Sequence, residues 1–246
     1  MKKIWIITLF PNYFDSLINF GITGAALRGE RGSKIEIKTV QLRNYTPKDY
    51  KGVDDSPYGG GAGMVMRADV LKEALMKGVV SDGGYGNEWR DKLHVVFPGP
   101  RGQTWDNSYC KEFAGRFSSE GSKDLVFICG RYEGIDERFL NLYVDEQISL
   151  GDFILTGGEI PTMAIIDSAL RFFSGVLGNK ESSMQESFQA NSLEHPQYTK
   201  PKIFDGIEVP EVLTSGHHQN IEKYQKAESL RITKLHRPDL FKKGTE

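Results

Sequence analysis

The sequence holds little that would tie it to a specialised class. Its 246 residues include only two cysteines, Cys110 and Cys129. That excludes a disulfide framework and fits two reduced, buried thiols in a cytoplasmic protein. The longest apolar stretch, Ile4–Phe10, has seven residues, against the roughly 20 needed to span a bilayer. No small-residue cleavage site follows it, so it reads as a first β-strand and not as a secretory signal. Net charge is −2, so no whole-chain excess points to a nucleic-acid partner. There is no G-x-G-x-x-G, P-loop or G-x-S-x-G, and with them go the usual signs of a dinucleotide site, an NTPase and a hydrolase triad. The histidines at 94, 195, 217, 218 and 236 have no cysteine or carboxylate at zinc-ligand spacing, so no metal site is expected. Internal repeats and low-complexity tracts are absent as well.

What the chain does have is glycine, 27 residues of it, much of it where strands end. Apolar runs read as strands at 4–10, 93–97 and 124–129, alternation reads as a strand at 33–42, and a further strand is expected at 143–150. Helical patterns follow Pro11 and cover 67–77, 106–117 and 162–175, with a helical turn after Gly134. Residues 78–92, holding Gly83, Gly84 and Gly86, read as an exposed loop. Strands alternating with helices at this pitch predict an α/β fold with a mostly parallel sheet. Residues 179–200 are polar and aperiodic and read as an interdomain linker between 1–178 and 201–246. In the second part a helix from about Gly216 to Leu235 puts Ile221, Tyr224, Ile232 and Leu235 on one face. Lys223, Lys226, Lys234 and Arg237 fall on another, and between Ser215 and Lys243 seven Lys/Arg stand against three Asp/Glu. A solvated face is the ordinary reading of such charge.

Three stretches concentrate polar groups at predicted strand ends: FPGPRG (97–102), CGRYEGIDE (129–137) and SLGDFILTGGEIPTM (149–163). The last sets Phe153, Ile154 and Leu155 between Gly151 and Gly157-Gly158, with Pro161 suited to a helix's first turn. By itself it is also what any strand–turn–helix joint would show. Ligands of open α/β sheets bind at the carboxyl ends of the strands, so three such loops together predict a site. The long loop 43–63, with Gly59, Gly60, Gly61 and Gly63, reads as ligand- or dimer-contacting.

Together these loops resemble the bacterial tRNA (guanine-N1)-methyltransferases, of the SPOUT class. VDDSPYGGGAGM (53–64) and VPEVLTSGHH (209–218) fit as well, and the resemblance runs nearly the whole chain in order. Two places depart from it. The family more often has Ser-Pro-Gln-Gly where this chain has Gly99-Pro100-Arg101-Gly102, and Asp-Ser-Phe where it has Glu186-Ser187-Phe188. Periodicity alone would draw an unknotted sheet. The resemblance implies instead a deep trefoil knot in residues 1–178, a homodimer with the active site shared between subunits, and a small C-terminal helical domain that grips tRNA. It implies S-adenosylmethionine as cofactor; Mg²⁺ assistance is left open. The cofactor residues implied are Phe97, Pro98, Gly99, Pro100 and Gly102 from the first loop. Gly130, Tyr132, Glu133 and Gly134 follow from the second, and Leu150, Gly151, Asp152, Phe153, Ile154, Leu155, Gly157, Gly158 and Pro161 from the third.

The implied reaction moves a methyl group to N1 of the guanosine 3′-adjacent to the anticodon. Guanine N1 carries a proton, so a base must take it as the methyl arrives, and charge building on O6 is best met by a fixed cation. By the resemblance Glu186 is that base and Arg171 that cation. Glu133, with Arg131 beside it, contacts the guanine edge. Ser187, Lys223 and Lys226 complete the tRNA contacts. Read alone, Arg171 would be a helix-surface ion pair. A nucleotide-dependent oxidoreductase and a non-catalytic RNA-binding protein are the rival classes, and calorimetry with S-adenosylmethionine, NAD and RNA separates the three.

Overall fold

The computed structural model describes residues 2–30, 35–47, 52–119, 121–173, 176, 187–188 and 191–244. The chain divides into two compact units, Met1–Gly178 and Asn179–Glu246.

In the first unit β1 (Lys2–Thr8) leads through a 3-10 turn (Pro11–Phe14) into the short helices α1 (Asp15–Asn19) and α2 (Gly21–Leu27). β2 (Ile35–Gln41), a second 3-10 turn (Leu42–Tyr45) and the two-residue strands β3 (Asp54–Asp55) and β4 (Val65–Met66) come next. Then follow α3 (Ala68–Glu73), which continues as a π-helix over Ala74–Ser81, α4 (Trp89–Lys92), β5 (Leu93–Thr104), α5 (Asn107–Phe117) and β6 (Asp124–Ile128). α6 (Glu137–Tyr143), β7 (Glu146–Ser149) and α7 (Glu159–Leu170) complete the unit. The main sheet has the order β2-β1-β6-β5-β7, and every pair in it is parallel.

Both faces of the sheet's centre are covered, which is why β1, β6 and the first half of β5 carry near-continuous apolar runs, while the edge strand β2 (IEIKTVQ) alternates with polar residues. Ile4, Ile6, Leu125 and Phe127 pack with Phe113 and Phe117 of α5 and Ile165 and Ile166 of α7. Trp5, Ile7, Val126 and Ile128 face the other way, onto Val70 and Leu71 of α3, Leu75 and Val79 of the π-helix and Phe139 of α6. Each such side chain contributes about 1.5–3 kcal/mol by leaving water. Asp106 and Asp136 cap α5 and α6, their Oδ1 atoms accepting from Tyr109 N (3.0 Å) and Arg138 N (2.9 Å).

Of residues 78–92, read as an exposed loop, only 82–88 lie outside helices, and these are exposed save for Tyr85 and the half-buried Gly83. The helix runs on to Ser81, α4 follows, and Tyr85 is buried. Its hydroxyl accepts from Trp5 Nε1 (2.9 Å) and donates to Asp124 Oδ2 (2.6 Å), which joins this segment to β1 and β6. Gly83 makes room for it, since a Cβ there would lie 2.2 Å from the Tyr85 ring. β5 is also longer than 93–97. It pairs with β7 beyond a bulge, with both Pro98 and Gln103 opposite Ile148.

The second unit holds the hairpin β8 (Ile203–Phe204) and β9 (Ile207–Glu208), α8 (Glu211–Thr214), α9 (His218–His236) and a 3-10 turn over Pro238–Gly244. The hairpin turns at Asp205 (φ 47°) and Gly206 (φ 80°), the positive-φ pair of a tight two-residue connection. Along α9, Ile221, Tyr224 and Ile232 are half-buried, but Leu235, expected on the same face, is 64% exposed. No helix among the described residues is long and apolar enough to cross a membrane.

Candidate functional site

The bulged segment of β5 and the loops after β6 and β7 meet at the carboxyl edge of the sheet and line a cavity of about 350 Å³. That is within the range of small-molecule sites. Phe97, Pro98, Gly99 and Pro100 form one wall, Gly130 to Gly134 a second, and Ile148 to Gly151 with Phe153 to Gly158 and Pro161 the third. All but two of the cofactor residues expected from the sequence line it. Gly102 does not. It sits in the β5 bulge, where a Cβ would lie 2.3 Å from Ile148 N, so its part is to let two backbones close on each other. Asp152 is exposed and outside the lining. Ile148, Ser149 and Thr156 line the cavity, and nothing in their residue type marked them beforehand.

The walls hold together by backbone contact. Gly158 N donates to Gly130 O (2.8 Å), Trp105 N to Ser149 O (2.7 Å) and Phe153 N to Gly151 O (2.9 Å). The glycines permit this closeness. A Cβ on Gly158 would lie 2.7 Å from Gly130 N and 2.8 Å from Cys129 Cα, and Gly151 has φ +142°, where side chains are strained. The lining thus offers backbone donors and acceptors, with Phe97, Leu150, Phe153 and Leu155 as apolar surface. That suits a ligand with a planar apolar part and several hydrogen-bonding edges, and S-adenosylmethionine has both.

Beneath the cavity is a charge the sequence reading gave no role. Glu159, the first residue of α7, is 1% exposed. It accepts from Thr8 Oγ1 (2.7 Å) at the end of β1, and its Oε2 lies 2.8 Å from Arg131 Nη2. That contact is close but not aligned as a hydrogen bond, and Arg131 Nε and Glu159 Oε2 have no other partner. Arg131 Nη1 donates to Thr156 O (3.2 Å), and its guanidinium lies 4.6 Å from the Phe10 ring centre. A Cβ on Gly157 would fall 2.3 Å from Arg131 Nε. Arg131, expected to reach substrate, is therefore engaged with the third wall. A threonine inside an apolar strand, and a glutamate directly after two glycines, were the available signals.

Glu133 is exposed on the second wall, its N–H donating to Met64 O (3.0 Å). Gly63 lies against it, a Cβ there being 2.3 Å from Glu133 Cγ, so the glycine-rich loop reaches the cavity's rim. Tyr132 is a non-glycine residue at φ 59°. Arg171 follows α7, is exposed and does not line the cavity. Its charge reaches Cys110 of α5, whose thiol burial pushes up and Arg171 partly draws back. Glu186 lies outside the described residues. Ser187 Oγ accepts from Glu194 N (3.0 Å), and Lys223 and Lys226 are exposed on α9. A second cavity of about 400 Å³, within the C-terminal unit, includes Tyr198, Leu213 and Ile221 in its lining and none of the expected site residues. Among the described residues no group of three His, Cys, Asp or Glu side chains is placed to hold a metal ion.

A family model described as tRNA (Guanine-1)-methyltransferase TrmD matches residues 1–243. The tRNA (guanine-N(1)-)-methyltransferase of Clostridium tetani (strain Massachusetts / E88) is 47% identical over 241 residues, 98% of this chain and 92% of that protein. The protein of the same name from Clostridium botulinum (strain Loch Maree / Type A3) is 48% identical over the same shares of both chains. That from Clostridium beijerinckii is 46% identical over 243 residues, 99% of this chain and 93% of that protein.

Proposed function

The chain belongs to the tRNA (guanine-1)-methyltransferase family, and from that premise we propose that it methylates N1 of the guanosine 3′-adjacent to the anticodon of tRNA, with S-adenosylmethionine as donor. The supporting observation is the cavity walled by backbone and glycine at the carboxyl edge of the sheet. The cofactor, when bound, supplies an electrophilic methyl group. Backbone groups of Gly130, Leu150, Gly151, Phe153 and Leu155 would hold it, with Pro98–Pro100 opposite, and these segments are those of the family's knotted SPOUT fold. By the family's pattern Glu186 takes the N1 proton of guanine and Arg171 meets the charge growing on O6. Glu133, on the rim, holds the guanine edge.

Arg171 is not among the cavity-lining residues of its own chain. In the family's arrangement the active site is shared between subunits, so a homodimer is part of this reading. The basic face of the C-terminal unit grips the tRNA backbone, with residues 179–200 as the linker, and the enzyme works in the cytoplasm, where its substrate is. Labelled methyl transfer to tRNA transcripts carrying G or A beside the anticodon tests the reading. Incorporation into the G transcript alone is expected, and equal incorporation into both would overturn it.

A further inference from the structure

We propose that Tyr58 stacks on an unpaired tRNA base next to the target guanosine, an inference that rests on the methyltransferase reading and adds a specificity contact to it. The ring is 99% exposed, more than any other large hydrophobic side chain among the described residues. Its presentation is built into the backbone. Gly60 N donates to Pro57 O (3.2 Å) and closes a four-residue turn. Gly59, at the third position, has φ +89°, as a type II turn requires. Tyr58 is thus the second residue of a tight turn, with its side chain directed off the arm. Gly60 (φ +79°) and Gly61 (φ +120°) continue the arm with open space where a side chain would be.

The tip is bare, but the base of the arm is fixed. Asp54 pairs with Met66 and Asp55 with Val65. Arg67 N donates to Val53 O and Met66 N to Gly134 O, both at 2.9 Å. Glu133 N donates to Met64 O (3.0 Å). The arm therefore springs from the backbone that forms the second wall of the cavity, and its tyrosine stands within reach of the charge of Arg138 on α6, the helix that follows that wall.

Charge selects the kind of contact. From Val53 to Met66 the arm has two carboxylates, Asp54 and Asp55, and no lysine or arginine, and the cation that faces Tyr58 from α6, Arg138, is paired with Asp136 (2.7 Å). The arm therefore offers no free cation of its own for a phosphate, whereas a neutral aromatic face suits a base swung out of its stack. Bases beside a nucleotide drawn into an enzyme pocket are in that condition.

The test uses the full-length protein with Tyr58→Ala, Tyr58→Phe and Tyr58→Trp. Transfer to an unmodified tRNA transcript is followed at varied tRNA, S-adenosylmethionine binding by calorimetry and transcript binding by filter retention. Tyr58→Ala should raise the tRNA KM and the transcript Kd roughly tenfold to hundredfold, the usual loss for one stacked base. Its kcat and cofactor affinity should stay within about twofold of the parent, and Phe and Trp should restore tRNA binding. A Tyr58→Ala protein with parental KM and Kd overturns the proposal. So does a KM rise accompanied by dissociation of the enzyme in sedimentation, which would make the ring a subunit contact. Failure of the parent to methylate any tRNA would overturn the proposed function alone, because the transcript-binding comparison still reads the stack.

Discussion

Glu159 is a carboxylate with almost no water around it, bound to one hydroxyl and one guanidinium. Removing one partner of a buried pair costs about 3–5 kcal/mol, mostly because the other charge is left stranded, while replacing both is far milder. Glu159→Gln should therefore destabilise the protein by about 3 kcal/mol in urea unfolding, and Arg131→Met by a similar amount. The double variant should lose less than the two added together, and additive losses would mean that the pair is not coupled. Gly158→Ala makes a sharper local test. Its Cβ would lie 2.7–2.8 Å from backbone of Gly130 and Cys129, where no side chain can turn aside. Its cofactor affinity should fall by at least tenfold in calorimetry, and parental affinity would remove these two loops from the site. At this scale the sequence was legible through glycine, because a residue without a Cβ marks a close approach. It was silent on Ile148, Ser149 and Thr156, whose side-chain types do not distinguish a cavity wall from any other strand end.

At the scale of elements, β5, β7 and α5 are joined by one carboxylate at the sheet edge opposite the cavity. Glu146 of β7 accepts from His94 of β5 (Nε2, 2.6 Å) and from Arg116 of α5 (Nη2, 2.7 Å), and Tyr109 of α5 donates to it as well. Burial opposes its ionisation, but the hydrogen bonds from His94, Arg116 and Tyr109 prevail and bring it down to about 2. A carboxyl depressed in the folded state adds stability that is complete above its ordinary value of 4.5 and drains away as pH falls toward 2. Full loss of such a shift is worth about 3 kcal/mol. Glu146→Gln should be the less stable protein at pH 7 and should converge with the parent only near about pH 2 in acid-unfolding titrations. Parallel curves would contradict the assignment. None of this hub is visible in the sequence, since its members are spread from 94 to 146 and only the parallel pairing of β5 with β7 brings them together. The central strands β1, β5 and β6 were legible because burial on both faces leaves apolar runs, and the edge strand β2 because it alternates. The burial of Tyr85 within 78–92 was not, because its ring is held by hydrogen bonds to residues far along the chain while the glycines around it signal a loop.

For the molecule as a whole, the near-neutral net charge hides an uneven distribution. In the C-terminal unit Arg231 and Arg237 are tied to Glu228 and Asp239 in ion pairs of 2.7 and 2.8 Å, and both pairs are solvent-facing and weak. Lys223 and Lys226 stand exposed three residues apart on α9, close to one helical turn, so both can address the same strand of phosphates. If the unit grips the tRNA backbone, each lysine releases about one counterion on binding. Lys223→Ala with Lys226→Ala should then weaken binding of every tRNA alike and flatten the plot of log affinity against log salt by roughly two units. Cofactor affinity, set in the other unit, should not change. Filter binding at several salt concentrations with two unrelated tRNA transcripts makes the measurement. Loss confined to one transcript with the slope preserved would mean that these lysines read bases, and the basic face would have to be reassigned.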